Sequence, residues 1–249
     1  MIDFGRFLDS YARKARLYPA LITLLPALAT AITFIPAIAT SAVASTGATI
    51  AVSCGLVFLL AEFARSAGKR LEPKLLAIWG GWPTTLWLRH DTDYLPPMTK
   101  DRYHRFLASR VSGLTIPDAA QEAAEPVHAD HTYRSATQWL MEQCRGSDFD
   151  MVHKENAGYG FRRNLMGLRS VGLAIAWGCV AILSLAIGSQ TISLGPVAIG
   201  KVDQVPLGIA AAWLFCLVCA VAWHRVSERW VRAAADTYSR ALLACCDRL

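Results

Sequence analysis

Between Leu17 and Ala61 the chain carries no charged residue over 45 consecutive positions. A helix needs roughly 20 apolar residues to cross a bilayer. This run is therefore long enough for two crossings, and the small polar segment ASTGAT at 44–49 is the natural turn between them. Two further uncharged runs, 170–200 and 205–223, hold one crossing each. The second half of the former, GSQTISLGPVAIG, is rich in glycine and polar residues and reads as a loop. The sequence thus predicts four transmembrane helices, at about 20–42, 48–65, 171–188 and 207–224. The 54% hydrophobic content exceeds the 45–50% usual for soluble domains, and the excess sits in these runs.

Lysine and arginine fix the expected orientation, because basic loops stay on the cytoplasmic side. Arg6, Arg13, Lys14 and Arg16 precede the first span. Fourteen Lys/Arg fall in 66–170, and five follow the fourth span. The 44–49 turn has none, and the 189–206 loop has Lys201 alone. Both termini and the central segment are expected in the cytoplasm of a bacterial inner membrane. The AVA triplet at 42–44 imitates a cleavage site, but the apolar stretch before it is far longer than a signal core and a second span follows at once. An uncleaved first span is expected. The net charge of +6 is first a topology signal and only weakly a nucleic-acid signal. Seven cysteines, in spans or on the reducing side, imply no disulfide framework.

The expected fold is an all-α membrane protein. Residues 1–18 read as an amphipathic cytoplasmic helix, with Phe4, Phe7, Leu8 and Tyr11 on one side. Residues 19–65 form a transmembrane hairpin, 66–168 a cytoplasmic helical domain, 169–224 a second hairpin, and 225–249 a helical tail. GGWPTT at 80–85 marks a break, with Pro83 suited to a first helical turn. Thr99 is the expected cap of the helix KDRYHRFLASR. In 129–145, Tyr133, Ala136, Trp139 and Leu140 share a face. A helix from Asp150 is expected to run on into the third span. In the tail, Val226, Trp230, Ala234, Thr237, Ala241 and Cys245 make a stripe that would extend the fourth span into one long rod.

Several groups are candidates for function, each beside a plainer reading. Arg162 and Arg163 suit phosphates, and Tyr159 and Phe161 offer stacking faces. Trp79, Trp82, Arg89 and His90 in WGGWPTTLWLRH would complete an aromatic, basic cleft. The plainer reading makes the arginines membrane anchors and the tryptophans core. Gly158 and Gly160 bracket Tyr159 and weaken a helix by roughly 1 kcal/mol each, which suggests close packing or a hinge where a cytoplasmic event could couple to a span. Thr23, Thr30, Thr33 and Thr40 fall on one side of the first span, as a pore lining or as a packing face, and Pro26 and Pro36 should kink it. Glu62 has Arg65 three residues on as a natural partner. His128 and His131 stand three apart and with Asp130 could hold a metal weakly, but no well-spaced third ligand stands out. Asp91 and Asp93 in RHDTD resemble an acidic site only superficially, and the Cys216/Cys219 pair reads as apolar packing. No P-loop, nucleophile elbow or HExxH motif is present, so no enzyme, metal or cofactor is expected.

Two stretches, WGGWPTTLWLRH at 79–90 and ENAGYGFRRNLMGL at 155–168, together resemble cytoplasmic motifs of a family of bacterial four-span membrane proteins. Some of these sit in antiviral operons beside a nucleotidyltransferase, among them the membrane effectors of the Hailong phage-defence systems. The resemblance covers about 26 of 249 residues. It implies a homo-oligomeric channel in the lipid bilayer, gated by a nucleotide-type ligand made by the partner enzyme, with Arg89, Arg162 and Arg163 near phosphates. The alternative is a non-conducting scaffold whose cytoplasmic domain docks a soluble partner.

Overall fold

The structure, a computed structural model, describes residues 10–34, 46–193, 198–199 and 206–249, with side chains left aside at 46–57, 190–193 and 198–199. The helices are α1 (Ser10–Phe34), α2 (Thr46–Trp79), α3 (Pro83–Leu86), α4 (Pro97–Arg110), α5 (Ala119–Ala124), α6 (Pro126–Gln143), α7 (Asp150–Gly167), α8 (Arg169–Thr191), α9 (Leu207–Arg225) and α10 (Glu228–Leu243). Apart from these and short helical turns, a two-residue antiparallel ladder pairs Ile192 with Ile199 and Ser193 with Ala198. The chain divides into two compact units. One comprises Met1–Arg70 and Phe161–Ser227, the other Leu71–Gly160 and Glu228–Leu249.

Among the described residues, three helices are long and apolar enough to cross a membrane: Ser10–Phe34, Arg169–Ser189 and Leu207–Arg225. All lie in the first unit. They bury small residues against one another and turn large apolar ones outward. Cys179, Val180 and Leu183 of α8 pack on Ala212 and Cys216 of α9, with Ala27 of α1 against them. Leu21, Leu25, Leu28 and Ile32 form an exposed stripe on α1, and Leu214, Phe215, Val218 and Val221 are exposed on α9. An apolar surface of this extent is foreign to a water-soluble monomer. The expected second span lies in α2, where most of its side chains fall outside the described set.

The first span differs from the expected outline. No boundary separates an interfacial helix from it, because α1 runs through residue 18 by way of a π-helical turn at Arg13–Leu17. The expected face of Phe4, Phe7 and Leu8 lies outside the described residues, as do Pro36 and Thr40. Pro26 sits inside the helix without ending it. Each proline removes one backbone donor, and at Pro19 a side chain compensates. The carbonyl that Pro19 cannot reach, that of Ala15, accepts from Asn164 Nδ2 at 2.7 Å.

The second unit has its own core. Leu88, Tyr103, Leu107, Tyr133, Ala136 and Leu140 pack with Leu242, Leu243, Cys245 and Cys246 of the chain's end. The turn before α3 is made by Gly80 and Gly81 at φ of 78° and 142°, values that residues with a Cβ rarely adopt. Pro83 then opens α3 as expected. Asp118 caps α5 with a reciprocal bond to Gln121. The helix assigned to a Thr99 cap starts earlier, at Pro97, because the Pro96-Pro97 pair sets an extended residue followed by a pre-formed first turn.

Two expected continuities need correction. The fourth span and tail are not one rod, since the chain is extended at Val226 and α10 starts afresh at Glu228. Helix α10 buries Val231, Ala234, Ala235, Ser239, Leu242 and Leu243, so the expected stripe runs along one edge of the inner face: Ala234 lies in it and Cys245 is buried beyond it, while Thr237 is exposed. Between α7 and α8 the interruption is a single residue, Leu168, whose carbonyl still accepts from Gly172.

Candidate functional site

The stretch 79–94 is the most aromatic part of the second unit, and cations from two helices cover it. Arg232 of α10 lies over the rings of Trp79 and Tyr94, at 5.3 and 5.7 Å from their centroids. The Tyr94 ring stacks on Trp87 with centroids 5.5 Å apart, and Arg240 lies over Trp87 at 5.4 Å. Arg134 of α6 covers Trp82 at 5.0 Å. Hydrogen bonds fix the arrangement. Trp79 Nε1 donates to Glu228, Trp87 Nε1 donates to Asp236 at 3.2 Å, and Arg232 Nε donates to the same carboxylate at 3.0 Å. Guanidinium over an aromatic face is attractive through the ring quadrupole. The loop and the tail helix are therefore tied by a run of stacked cations and rings.

Sequence reasoning found the tryptophans and missed their cations. Arg232, Asp236 and Arg240 recur every four residues on one face of α10, and that periodicity was the available signal. It lay behind the stripe drawn for an unbroken rod.

Beneath the stack lies a buried polar network. Glu122, 5% exposed, accepts from the backbone N–H groups of His90 at 3.0 Å and Asp91 at 3.3 Å, and from the Tyr133 hydroxyl at 2.6 Å. Burial opposes its charge, but these donors outweigh it and hold the carboxyl below its ordinary range. Lys100 is equally buried and donates to the carbonyls of Arg89 and Thr92. His104 bonds the Leu88 carbonyl at 2.8 Å, and burial pushes its imidazole below the usual value. Apart from the Tyr133 bond, every one of these contacts grips the backbone of 88–92. The network sets the conformation of the segment that carries Arg89 and His90.

Arg89 itself is closed onto Asp130 in a two-pronged ion pair, Nε to Oδ1 at 2.7 Å and Nη2 to Oδ2 at 2.5 Å. The His90 ring bonds the Pro117 carbonyl at 3.0 Å. Asp130 thus faces Arg89, while His128 and His131 are exposed. Among the described residues no three His, Cys, Asp or Glu side chains group as metal ligands.

The second motif divides between the units at Gly160/Phe161. In the second unit, Tyr159 is buried, stacks on Tyr238 and points its hydroxyl at Glu72 Oε1, 3.5 Å away. In the first, Arg163 is 8% exposed and bonds Asn164 Oδ1 at 3.3 Å, while Arg162 is half-buried. Arg89 and His90 therefore belong to one unit and Arg162 and Arg163 to the other. Helix α7 runs through Gly158 and Gly160 without interruption, and a Cβ on Gly158 would meet open space. Tight packing falls instead on Gly68 and Gly167. A Cβ on Gly167 would lie 2.5 Å from the Ala67 backbone, and one on Gly68 would lie 1.9 Å from Asn164 Oδ1. Asn164, only 1% exposed, is the residue of this motif that sequence reasoning passed over.

In the first span, Thr23 and Thr30 are buried and donate to the carbonyls of Pro19 and Pro26 at 2.8 and 2.9 Å. Thr30 Oγ1 also lies 3.7 Å from Cys216 Sγ. Thr33 is half-buried and donates to Ala29. Thr30 thus faces α9 within the first unit, while the Thr33 hydroxyl bonds only its own helix among the described residues. Glu62 and Arg65 form the expected pair at 3.1 Å on exposed surface.

No protein-family model matches the chain, and no curated protein or solved structure is similar to it.

Proposed function

We infer that this chain is a multi-pass effector of the bacterial inner membrane, with four spans, both termini cytoplasmic, and a second unit that reads a cytoplasmic signal and passes it to the spans. The carrying observation is that α2 and α7 each continue as one helix past the boundary between the units, at Arg70/Leu71 and at Gly160/Phe161. A helix transmits displacement along its axis better than a loop does. In its finer form, drawn from the motif resemblance, the signal is an anionic nucleotide and the output is conduction through a homo-oligomer. The aromatic rings of 79–94 and the arginines that cover them from other helices, Arg134, Arg232 and Arg240, support a ligand of that chemistry.

Purified full-length protein in dye-loaded liposomes tests this reading against a panel of linear and cyclic oligonucleotides. Ligand-dependent release supports it. Tight nucleotide binding without release under any condition refutes the conducting form, and absence of binding refutes the signal.

A second reading, a scaffold that docks a soluble partner and does not conduct, is favoured by one observation. Thr30, one of the four threonines expected to line a path, is buried and packed against Cys216.

A further inference from the structure

The first unit holds a cleft of about 450 Å³ between α1, α2 and α8. Leu24 of α1, Leu60 and Phe63 of α2, and Val171 and Ile175 of α8 make its walls apolar, and among the described residues Arg70 is the one charged side chain that lines it. Leu60 and Arg70 are ten residues apart on one helix, about 15 Å at 1.5 Å per residue. The cleft is thus long, oily at one end and cationic at the other. The cationic end is where Gly167 lies against the backbone of Ala67. Arg70 is exposed and forms no ion pair among the described residues. The nearby acid Glu62 is spent on Arg65.

We propose that this cleft binds one acyl chain of an anionic phospholipid, with Arg70 on the lipid phosphate. The proposal rests on the first unit lying in a bilayer. Volume selects the occupant. A helix from a second copy, 10–12 Å across, would fill roughly 1,200–1,700 Å³ over the same length, which this cleft does not offer. A free phosphate has no use for the apolar walls. A flexible hydrocarbon chain fits them, and a basic side chain at the membrane surface favours an anionic headgroup over a zwitterionic one. Such a lipid would bridge α1, α2 and α8 along the face where α2 leaves for the second unit.

Native mass spectrometry of the delipidated full-length protein in detergent, titrated with phosphatidylglycerol or phosphatidylcholine, tests the site. The wild type is expected to retain phosphatidylglycerol preferentially. Arg70→Gln should lower that retention by more than about tenfold, as for loss of a charged hydrogen bond, and should leave phosphatidylcholine unchanged. Arg13→Gln removes an exposed charge outside the cleft, and its effect should stay within about fivefold, the general attraction of one basic residue to an anionic surface. Val171→Trp, which fills the cleft, should abolish both lipids while the protein elutes as the wild type does. Equal effects of Arg70→Gln and Arg13→Gln, undiminished binding by Val171→Trp, or no lipid preference in the wild type would each overturn the proposal. Alkaline extraction of native membranes separates the two claims. Release of the protein overturns the membrane reading itself, whereas a retained protein with no Arg70-dependent lipid overturns the cleft alone.

Discussion

Asn164 and Ala15 are joined by a hydrogen bond of 2.7 Å from the side-chain amide to the backbone carbonyl, and this bond repairs a defect made by Pro19. In a setting without water an unsatisfied carbonyl costs several kcal/mol. The residue that supplies the donor is held from the other side by Gly68, where no side chain would fit. The motif around Arg162 and Arg163 thus has a structural centre at its last polar residue.

Asn164→Ala should therefore destabilise the first unit by about 1–3 kcal/mol, the cost of leaving a buried partner unmet. Gly68→Ala should cost a similar amount, since its Cβ would strike Asn164 Oδ1. The double variant should cost less than the sum, because truncating the side chain at position 164 removes the oxygen that the methyl added at position 68 would strike. Unfolding in detergent by a graded denaturant measures all three, and simple additivity would contradict the contact.

Much of this was legible in advance, and the failures share a cause. The apolar runs, the Gly80-Gly81 turn, Pro83 at a helix start and the inner face of α6 follow from local pattern. Asn164 was missed because the reading followed charge, and an uncharged amide beside two arginines draws no notice. Glu122 in AAQEAAE looks like any surface acid. Its burial depends on the 88–92 segment folding over it, a contact no local period encodes. The tail stripe marks one edge of the buried face, with Ala234 and Cys245 inside and Thr237 outside, because the two-residue break at Val226 and Ser227 frees α10 from the phase of the fourth span.

The buried network of the second unit gives stability a predictable pH dependence. The imidazole of His104 is depressed chiefly by burial, so its contribution is present above the ordinary value of 6.5 and is lost as pH falls toward the folded value. The Glu122 carboxyl is also depressed, so its contribution is present above its ordinary value of 4.5 and is lost below that. Resistance of the second unit to proteolysis, followed from about pH 8 to about pH 4, should fall in two stages. His104→Gln, which can still donate to Leu88, should remove the upper stage and leave the lower. Glu122→Gln should flatten the lower stage and lower stability at neutral pH.

The Arg89–Asp130 pair separates the ligand role of Arg89 from a structural one. Its side chains are 22% and 30% exposed, so a double-mutant cycle with Arg89→Gln and Asp130→Asn should give a coupling near 1 kcal/mol. If Arg89 serves a nucleotide phosphate, Asp130→Asn frees its guanidinium, and the affinity for an oligonucleotide should rise severalfold. Equal affinity in the wild type and Asp130→Asn would leave Arg89 with the structural role alone.

The thiols of Cys144, Cys245 and Cys246 meet inside the second unit's core. Burial pushes Cys144 and Cys246 up to about 12, and Cys245 is raised for the same reason. A protonated thiol is a poor nucleophile. Maleimide at neutral pH should spare all three until the unit unfolds, as read by peptide mapping. Rapid labelling of Cys245 in the native protein would show that the chain's end leaves the core.

Thr30 distinguishes packing from a conducting wall. Its hydroxyl donates to the Pro26 carbonyl at 2.9 Å, and that carbonyl also takes Cys216 Sγ at 3.6 Å. Thr30→Val keeps the shape, removes one of two side-chain donors, and leaves the carbonyl partnered. The cost should be about 0.6 kcal/mol, the average for such bonds between membrane helices. A packing role predicts wild-type dye release from liposomes in this variant. A wall role predicts a changed rate, because the substitution replaces a hydroxyl with a methyl along the path of ions. Thr30→Leu sharpens the contrast. Against Cys216 it should destabilise the bundle by overpacking, about 1–3 kcal/mol, whereas a residue lining a water-filled path would accept the larger side chain at little cost in stability and would lose conduction.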